Sequence, residues 1–301
     1  MIFLSWLIHC LLILLSVAFF TLFERKCMGL FQCRLGPNKV SLSGLLQPLL
    51  DAFKLLTKQN MVPLQANKFV YHVAPHMALI LALFVWMTMP GSYLMLSMNY
   101  SLLIFFCVSS IMVFAVLLSG WASNSKYSLI GSLRSVAQSI SYESVFSTLT
   151  VMMVFLLVSY SIRSSVSQSS VLFIFILPLW FICSLAETYR APFDFSESES
   201  ELVSGFNTEY SGAYFAFIFL SEYAMILYSC MLISYLFLSF LGLSGVLIYV
   251  IFSLLVSFLF IWVRITFCRF RYDMLMMTSW KTLLPLTLSL FVIYVCVMII
   301  T

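Results

Sequence analysis

Four glutamates fall inside or at the ends of long apolar runs. Glu24 closes one run beside Arg25 and Lys26, Glu143 opens another and Glu187 closes a third. Glu222 stands about nine residues into a fourth, roughly 13 Å along a helix at 1.5 Å per residue. A charged side chain within a hydrocarbon layer costs about 2.5–3.5 kcal/mol on insertion scales, so ionisable residues there are functional candidates. No Lys or Arg lies within one helical turn of Glu222 on its own helix. A carboxyl desolvated without a nearby cation holds its proton more firmly, which lets it take up and release protons near neutral pH. Each glutamate alone is equally well a protonated structural residue bonded to a neighbouring helix. Four of them converging on one half of a membrane point to proton handling.

A second group of acids follows directly. The segment LAETYRAPFDFSESESELVSGFNTEYSG (Leu185 to Gly212) carries Glu187, Asp194, Glu197, Glu199, Glu201 and Glu209 around Arg190, six acids against one base. A run of this kind is commonly a solvated face, and by itself it would also suit calcium or disorder. Phe193, Phe195, Leu202, Val203 and Phe206 are interleaved with the acids, and a purely hydrated loop has no use for them. The pattern predicts an acidic, partly buried vestibule in which like charges share protons.

Other chemistry is poorly supported. The eight cysteines form no CxxC pair, so neither a zinc site nor an iron–sulfur cluster can be built from them. His72 and His76 are four residues apart and share a helical face, but Pro75 lies between them and a lone HxxxH is weak evidence for metal. Any redox centre must therefore be borrowed from a partner, and no metal is expected. A net charge of +4 is too small to argue for nucleic acid.

The elements that hold these residues are membrane helices. The 301 residues are 63% hydrophobic and 9% charged, against about 25% charged in ordinary soluble domains. Runs of about 20 apolar residues, the length a spanning helix needs, occur near 2–23, 69–90, 100–121, 144–161, 171–188, 213–240, 244–264 and 281–300. The expected fold is therefore an all-α polytopic membrane protein, one domain over residues 1–301 with eight transmembrane helices. Fourteen of the fifteen basic residues fall in the odd-numbered connections, and only Arg163 falls on the other side. All eleven acids follow the same face. The positive-inside rule makes that face cytoplasmic or its mitochondrial equivalent, the matrix, with both termini opposite. The chain also opens straight into an apolar run without an Arg-rich presequence, an expectation of synthesis beside its own membrane.

Gly44 to Lys58 places Leu45, Leu49, Ala52, Phe53 and Leu56 on one face and Gln47, Asp51, Lys54 and Lys58 on the other. That is an interfacial amphipathic helix over 44–58, serving either as a surface anchor or as the wall of a site. Pro75, Pro178 and Pro285 should bend the spans they occupy. No internal repeat is evident, hence no sign of the duplicated halves of many secondary transporters. The residues alone leave open a coupling subunit, an independent proton-coupled transporter and a passive docking scaffold.

Six segments carry a family resemblance: ERKCMGLFQCRLGPNKV (Glu24 to Val40), GLLQPLLDAFKLLTK (Gly44 to Lys58), GWASNSKYSLIGSLRSVAQSISYE (Gly120 to Glu143), the acidic segment above, SEYA (Ser221 to Ala224) and RFRYDMLMMTSWKTLLPL (Arg269 to Leu286). Together, in order from the first span to the last, they resemble the subunit 1 family of respiratory NADH:ubiquinone oxidoreductase, complex I, of the mitochondrially encoded animal type. Leu35 stands where that family usually has Lys, Ser41 where Gly is common, and Ser198 where the acidic loop usually has Gly.

The resemblance implies a core subunit of a proton-pumping NADH:ubiquinone reductase in the mitochondrial inner membrane, with its long charged loops on the matrix side. It implies ubiquinone as substrate, a channel admitting it from the bilayer, and partner complex I subunits that hold NADH, FMN and the iron–sulfur clusters. Arg25, Arg34, Asp51 and Arg269 would line the polar middle of that channel, with Phe215 and Phe219 as apolar wall. Glu143, Glu187 and Glu222 would begin a chain of acids toward the pumping subunits. Asp194, Glu197, Glu199, Glu201 and Glu209 would couple that chain to the quinone cavity.

Overall fold

A computed structural model describes residues 2–41, 43–90, 99–157, 159–162, 172–195, 205–240 and 245–300. The described residues are helical, without strands. In chain order the helices are α1 (Ile2–Phe31), α2 (Gln47–Thr57), α3 (Lys68–Val85), α4 (Ser101–Ala122), α5 (Lys126–Leu157), α6 (Leu172–Glu187), α7 (Gly212–Phe240), α8 (Val246–Thr266), α9 (Tyr272–Met277) and α10 (Leu284–Ile300). Among the described residues seven helices are long and apolar enough to cross a membrane, and α6 contributes a shorter apolar helix. The fold is an all-α polytopic membrane protein.

Side chains facing outward are apolar. Leu7, Leu11, Leu12 and Leu15 on α1, and Leu247, Ile251, Leu254 and Leu255 on α8, are exposed in stripes at helical spacing. Such surface is costly in water but matches lipid tails, so it contributes no drive for helix association there. Association must then come from packing. Ala74, Ala78 and Ala82 form a buried small-residue row on α3, which lets α4 and α7 approach closely on either side. At the centre Phe105, Phe146 and Trp180 interlock α4, α5 and α6, with the Phe146 and Trp180 ring centroids 4.6 Å apart. The Tyr228 hydroxyl meets that of Thr88 at 2.6 Å, and Trp86 Nε1 donates to the Ala224 carbonyl at 3.1 Å. These bonds tie the end of α3 to α7 and leave no polar group of theirs facing lipid.

Three elements depart from the expected ranges. Helix α1 continues past the expected end at 23 to Phe31, because nothing in ERKCMGLF breaks a helix; Glu24 and Arg25 are therefore held on a continuous rod. It ends where Cys33 adopts a φ of +55° and Arg34 N donates to the Gly29 carbonyl at 2.9 Å. Helix α5 starts at Lys126, well before the expected 144. Its serines are weak helix formers, yet Ser132, Ser135, Ser139 and Ser141 each donate to a carbonyl three or four residues earlier. The hydroxyls are thereby satisfied and can be buried. Gly131 permits Gly205 to press against it, since a Cβ there would lie 3.0 Å from the Gly205 backbone.

The last element also begins early. Helix α9 runs through a π-helical turn, Thr278–Leu283, into α10. Pro285 lacks the N–H a regular turn needs, and the wider turn just before it relieves the ladder. Ser41, at the position noted for glycine, lies in the left-handed region with a φ of +55°.

Candidate functional site

Two sites lie back to back across α7. The first is built around Glu24, which is 4% exposed. Tyr223 Oη donates to Glu24 Oε2 at 2.7 Å, Arg190 Nη1 lies 3.4 Å from Oε1, and Arg264, at the end of α8, pairs with the same oxygen. The Arg190 guanidinium also stacks on the Tyr223 ring, 4.3 Å from its centroid. Burial by itself would discharge Arg190, but Glu24, Tyr223 and Glu222 hold its guanidinium above its ordinary value, so it stays charged. A buried carboxylate with two arginines and a phenol is a fixed anion rather than a proton carrier.

This cluster ends a cavity of about 340 Å³ between α1, α2 and α7. Phe215, Phe219 and Tyr223 follow one another at four-residue spacing and form its aromatic wall, Phe215 and Phe219 with centroids 4.4 Å apart. Opposite them Arg25 Nη1 meets Asp51 Oδ2 at 2.7 Å, and Gln47 Nε2 donates to Asp51 Oδ1 at 2.9 Å. Pro48, Asp51, Ala52 and Leu55 turn one edge of α2 to the cavity, while Phe53 and Leu56 are exposed on another. The short helix thus serves as wall and offers apolar side chains outward. A mostly apolar cavity of this size with a few placed charges suits a ligand with an apolar tail and a polar head.

The second site collects acids. Glu187 and Glu222 line a cavity of about 70 Å³ with Ser109, Ser139, Thr188, Tyr189 and Ser221. Glu143 and Glu187 line an adjoining one of about 20 Å³, which shares Ser109, Val113 and Ser139 with the first. One water needs about 10–15 Å³ by this measure, so the larger cavity takes several and the smaller takes one. Three carboxyls from α5, α6 and α7 thus line two touching, mostly apolar cavities whose remaining polar side chains are hydroxyls and the Cys183 thiol. Among the described residues neither Glu143 nor Glu187 forms an ion pair with Lys or Arg, in contrast to Glu24. Groups arranged in this way can pass protons through water and hydroxyls.

Of the expected channel residues, Arg25, Asp51, Phe215 and Phe219 meet at the cavity between α1, α2 and α7. Arg34 and Arg269 do not line it. Arg34 lies just beyond α1, where its Nε donates to Gln32 Oε1 at 2.9 Å. Arg269 stands 3.7 Å from Asp194. Of the expected acids, Glu143, Glu187 and Glu222 converge, whereas Asp194 and Glu209 line neither acid cavity. Glu209 presents its carbonyl to the Tyr71 hydroxyl at 2.7 Å. Glu197, Glu199 and Glu201 lie outside the described residues. His72 and His76 pack on Tyr214, and the His76 ring meets the His72 carbonyl at 2.7 Å.

Reading the sequence did not bring Arg190, Tyr223 and Arg264 to Glu24. The available signals were Arg264 in the last turn of an otherwise apolar helix and Arg190 as the lone base in an acidic loop. Gln138 was also missed. It is fully buried on α5, and its Nε2 donates to the carbonyls of Ala186 at 2.9 Å and Phe193 at 2.7 Å. Those two bonds fix the turn that carries Tyr189 and Arg190.

The model of a family described as NADH dehydrogenase matches residues 4–295. The chain is 48% identical over 296 residues to the NADH-ubiquinone oxidoreductase chain 1 of Heterololigo bleekeri, covering 95% of this chain and 94% of that one. It is 47% identical to the protein of that name from Aedes aegypti, over 92% of this chain and 90% of the relative. With the one from Emballonura alecto it shares 45% identity over 96% and 94% of the two chains.

Proposed function

The chain belongs to the NADH dehydrogenase family, and from that premise we propose that it forms the ubiquinone access cavity of complex I and couples quinone chemistry to proton translocation through its buried carboxyls. It is a membrane subunit of NADH:ubiquinone oxidoreductase, and its partners are other subunits of that complex. Its place is the mitochondrial inner membrane, with the basic connections in the matrix.

The cavity walled by Phe215, Phe219, Arg25 and Asp51 takes the quinone. The tail runs along the apolar side chains, and the head approaches Arg25, Asp51 and the fixed anion Glu24. The acids Glu143, Glu187 and Glu222 carry the proton part. One observation carries this reading: adjacent residues on α7 serve opposite sites. Glu222 lines the acid cavity while Tyr223 lines the quinone cavity and donates to Glu24. A change of charge near Glu24 is therefore felt by Glu222 through Arg190, which interacts electrostatically with both. In an interior of low effective dielectric such a change shifts a neighbouring carboxyl's proton affinity. Asp194, Glu197, Glu199, Glu201 and Glu209 couple this chain of acids to the quinone cavity.

The test is Glu187→Gln in the assembled complex. Coupled NADH:quinone turnover should be lost while NADH oxidation by an artificial acceptor persists. Normal coupled turnover in this variant would count against the reading.

A further inference from the structure

Helix α6 ends in a turn with an unusual occupant. Arg190 N donates to the Leu185 carbonyl at 3.2 Å and Tyr189 N approaches that of Ala186 at 3.4 Å. These are the two bonds of a Schellman termination whose left-handed residue is Tyr189, with a φ of +52°. Glycine usually fills this position because a side chain is strained there. Strain kept at a site is a reason to ask what the side chain does.

The answer is visible in where the side chain goes. Tyr189 lines the larger acid cavity together with Glu187 and Glu222. The Ser139 hydroxyl lines the same cavity, and the charges of Glu187, Glu222 and Glu143 all act on the phenol. Cys33 ends α1 in the same kind of turn, but its side chain is exposed and meets no such group. Arg190, the next residue, turns the other way to Glu24. The turn therefore points one side chain into each site.

We propose that the Tyr189 hydroxyl is a further proton-carrying group of this chain, relaying a proton between Glu222 and Glu187. This rests on the reading above that the carboxyls carry protons. In the step, protonated Glu222 gives its proton to Oη as the phenolic proton leaves for the Glu187 carboxylate. One O–H bond breaks on Glu222, one forms on Glu187, and on the phenol one is broken and one made, so the ring ends neutral.

The experiment compares Tyr189→Phe with Glu187→Gln in inner-membrane vesicles holding the whole complex. For Tyr189→Phe, coupled turnover should fall about a hundredfold, and the solvent deuterium isotope effect on the remainder should rise. The apparent quinone affinity and artificial-acceptor activity should stay unchanged, a split that a packing role would not produce. Coupled turnover within about twofold of the parent, beside an inactive Glu187→Gln, overturns the relay and leaves the carboxyl reading standing. Normal turnover in Glu187→Gln removes both. Should Tyr189→Phe not assemble, infrared difference spectra of the parent complex on quinone reduction decide: a deuterium-sensitive tyrosine C–O band is expected, and its absence overturns the relay.

Discussion

Glu24 and Glu187 are both glutamates at the ends of apolar runs, and the tertiary structure gives them different surroundings. Glu24 accepts from Tyr223 and pairs with Arg190 and Arg264. Glu187 faces two small, mostly apolar cavities whose polar lining is hydroxyl groups, the Cys183 thiol and other acids. The first environment fixes a negative charge and contributes to holding α1, α7, α8 and the α6 turn together. The second brings no Lys or Arg to Glu187 among the described residues, the environment that the proposed proton-carrying role requires. The lesson is that an acid in a membrane segment is defined by the cations other helices bring to it, not by its own helix.

That contrast can be broken at several points, and the largest effect should come from the paired side. Arg190→Ala removes a buried partner and leaves Glu24 under-compensated, a loss on the order of 3–5 kcal/mol for a buried pair. The expected outcome is failure to accumulate the assembled complex, read on native gels. A normal amount of complex would mean that Glu24 is not the fixed anion described. Glu143→Gln, on the unpaired side, should assemble normally, since a neutral isostere suits a desolvated site, yet proton pumping per electron should collapse. If its assembly fails instead, the acid cavity is structural.

Tyr223→Phe is a smaller probe. It deletes a hydrogen bond to a charged group, a contribution of about 1.5–3 kcal/mol, and should lower the melting temperature of the complex without changing artificial-acceptor activity. An unchanged melting temperature would show that the arginines alone fix Glu24. The smallest stability effect belongs to Arg25→Ala. This pair is half exposed, at 50% and 34% for Arg25 and Asp51, and exposed pairs contribute about 0–1 kcal/mol. Thermal stability should hardly move, but the apparent KM for quinone should rise several-fold; an unaltered KM would remove Arg25 from the proposed quinone site.

Much of the site is legible along the chain. The membrane class follows from 63% hydrophobic residues, and the candidate carboxyls follow from the cost of placing Glu143, Glu187 and Glu222 in apolar runs. Phe215, Phe219 and Tyr223 repeat at four residues, so a shared face is implied by helical geometry. Less legible is the start of α5. Serine and glycine in YSLIGSLRS read as a loop by propensity, and only bonds from the hydroxyls to their own helix, with Gly205 packed on Gly131, make that stretch a buried helix.

What the sequence determined by itself is whatever depends on one segment: which runs are long and apolar enough for a bilayer, which connections between them hold the charged residues, and which acids are costly to place in an apolar run. The tertiary structure alone decided the pairings. Arg190 and Arg264 reach Glu24 across 166 and 240 residues, and Tyr189 enters the acid cavity because α6 ends in a left-handed turn. Electrostatic interactions fall off with distance in space, whereas a sequence records only distance along the chain; whether a membrane carboxyl is paired with cations or left among other acids is therefore decided by which helices pack beside it.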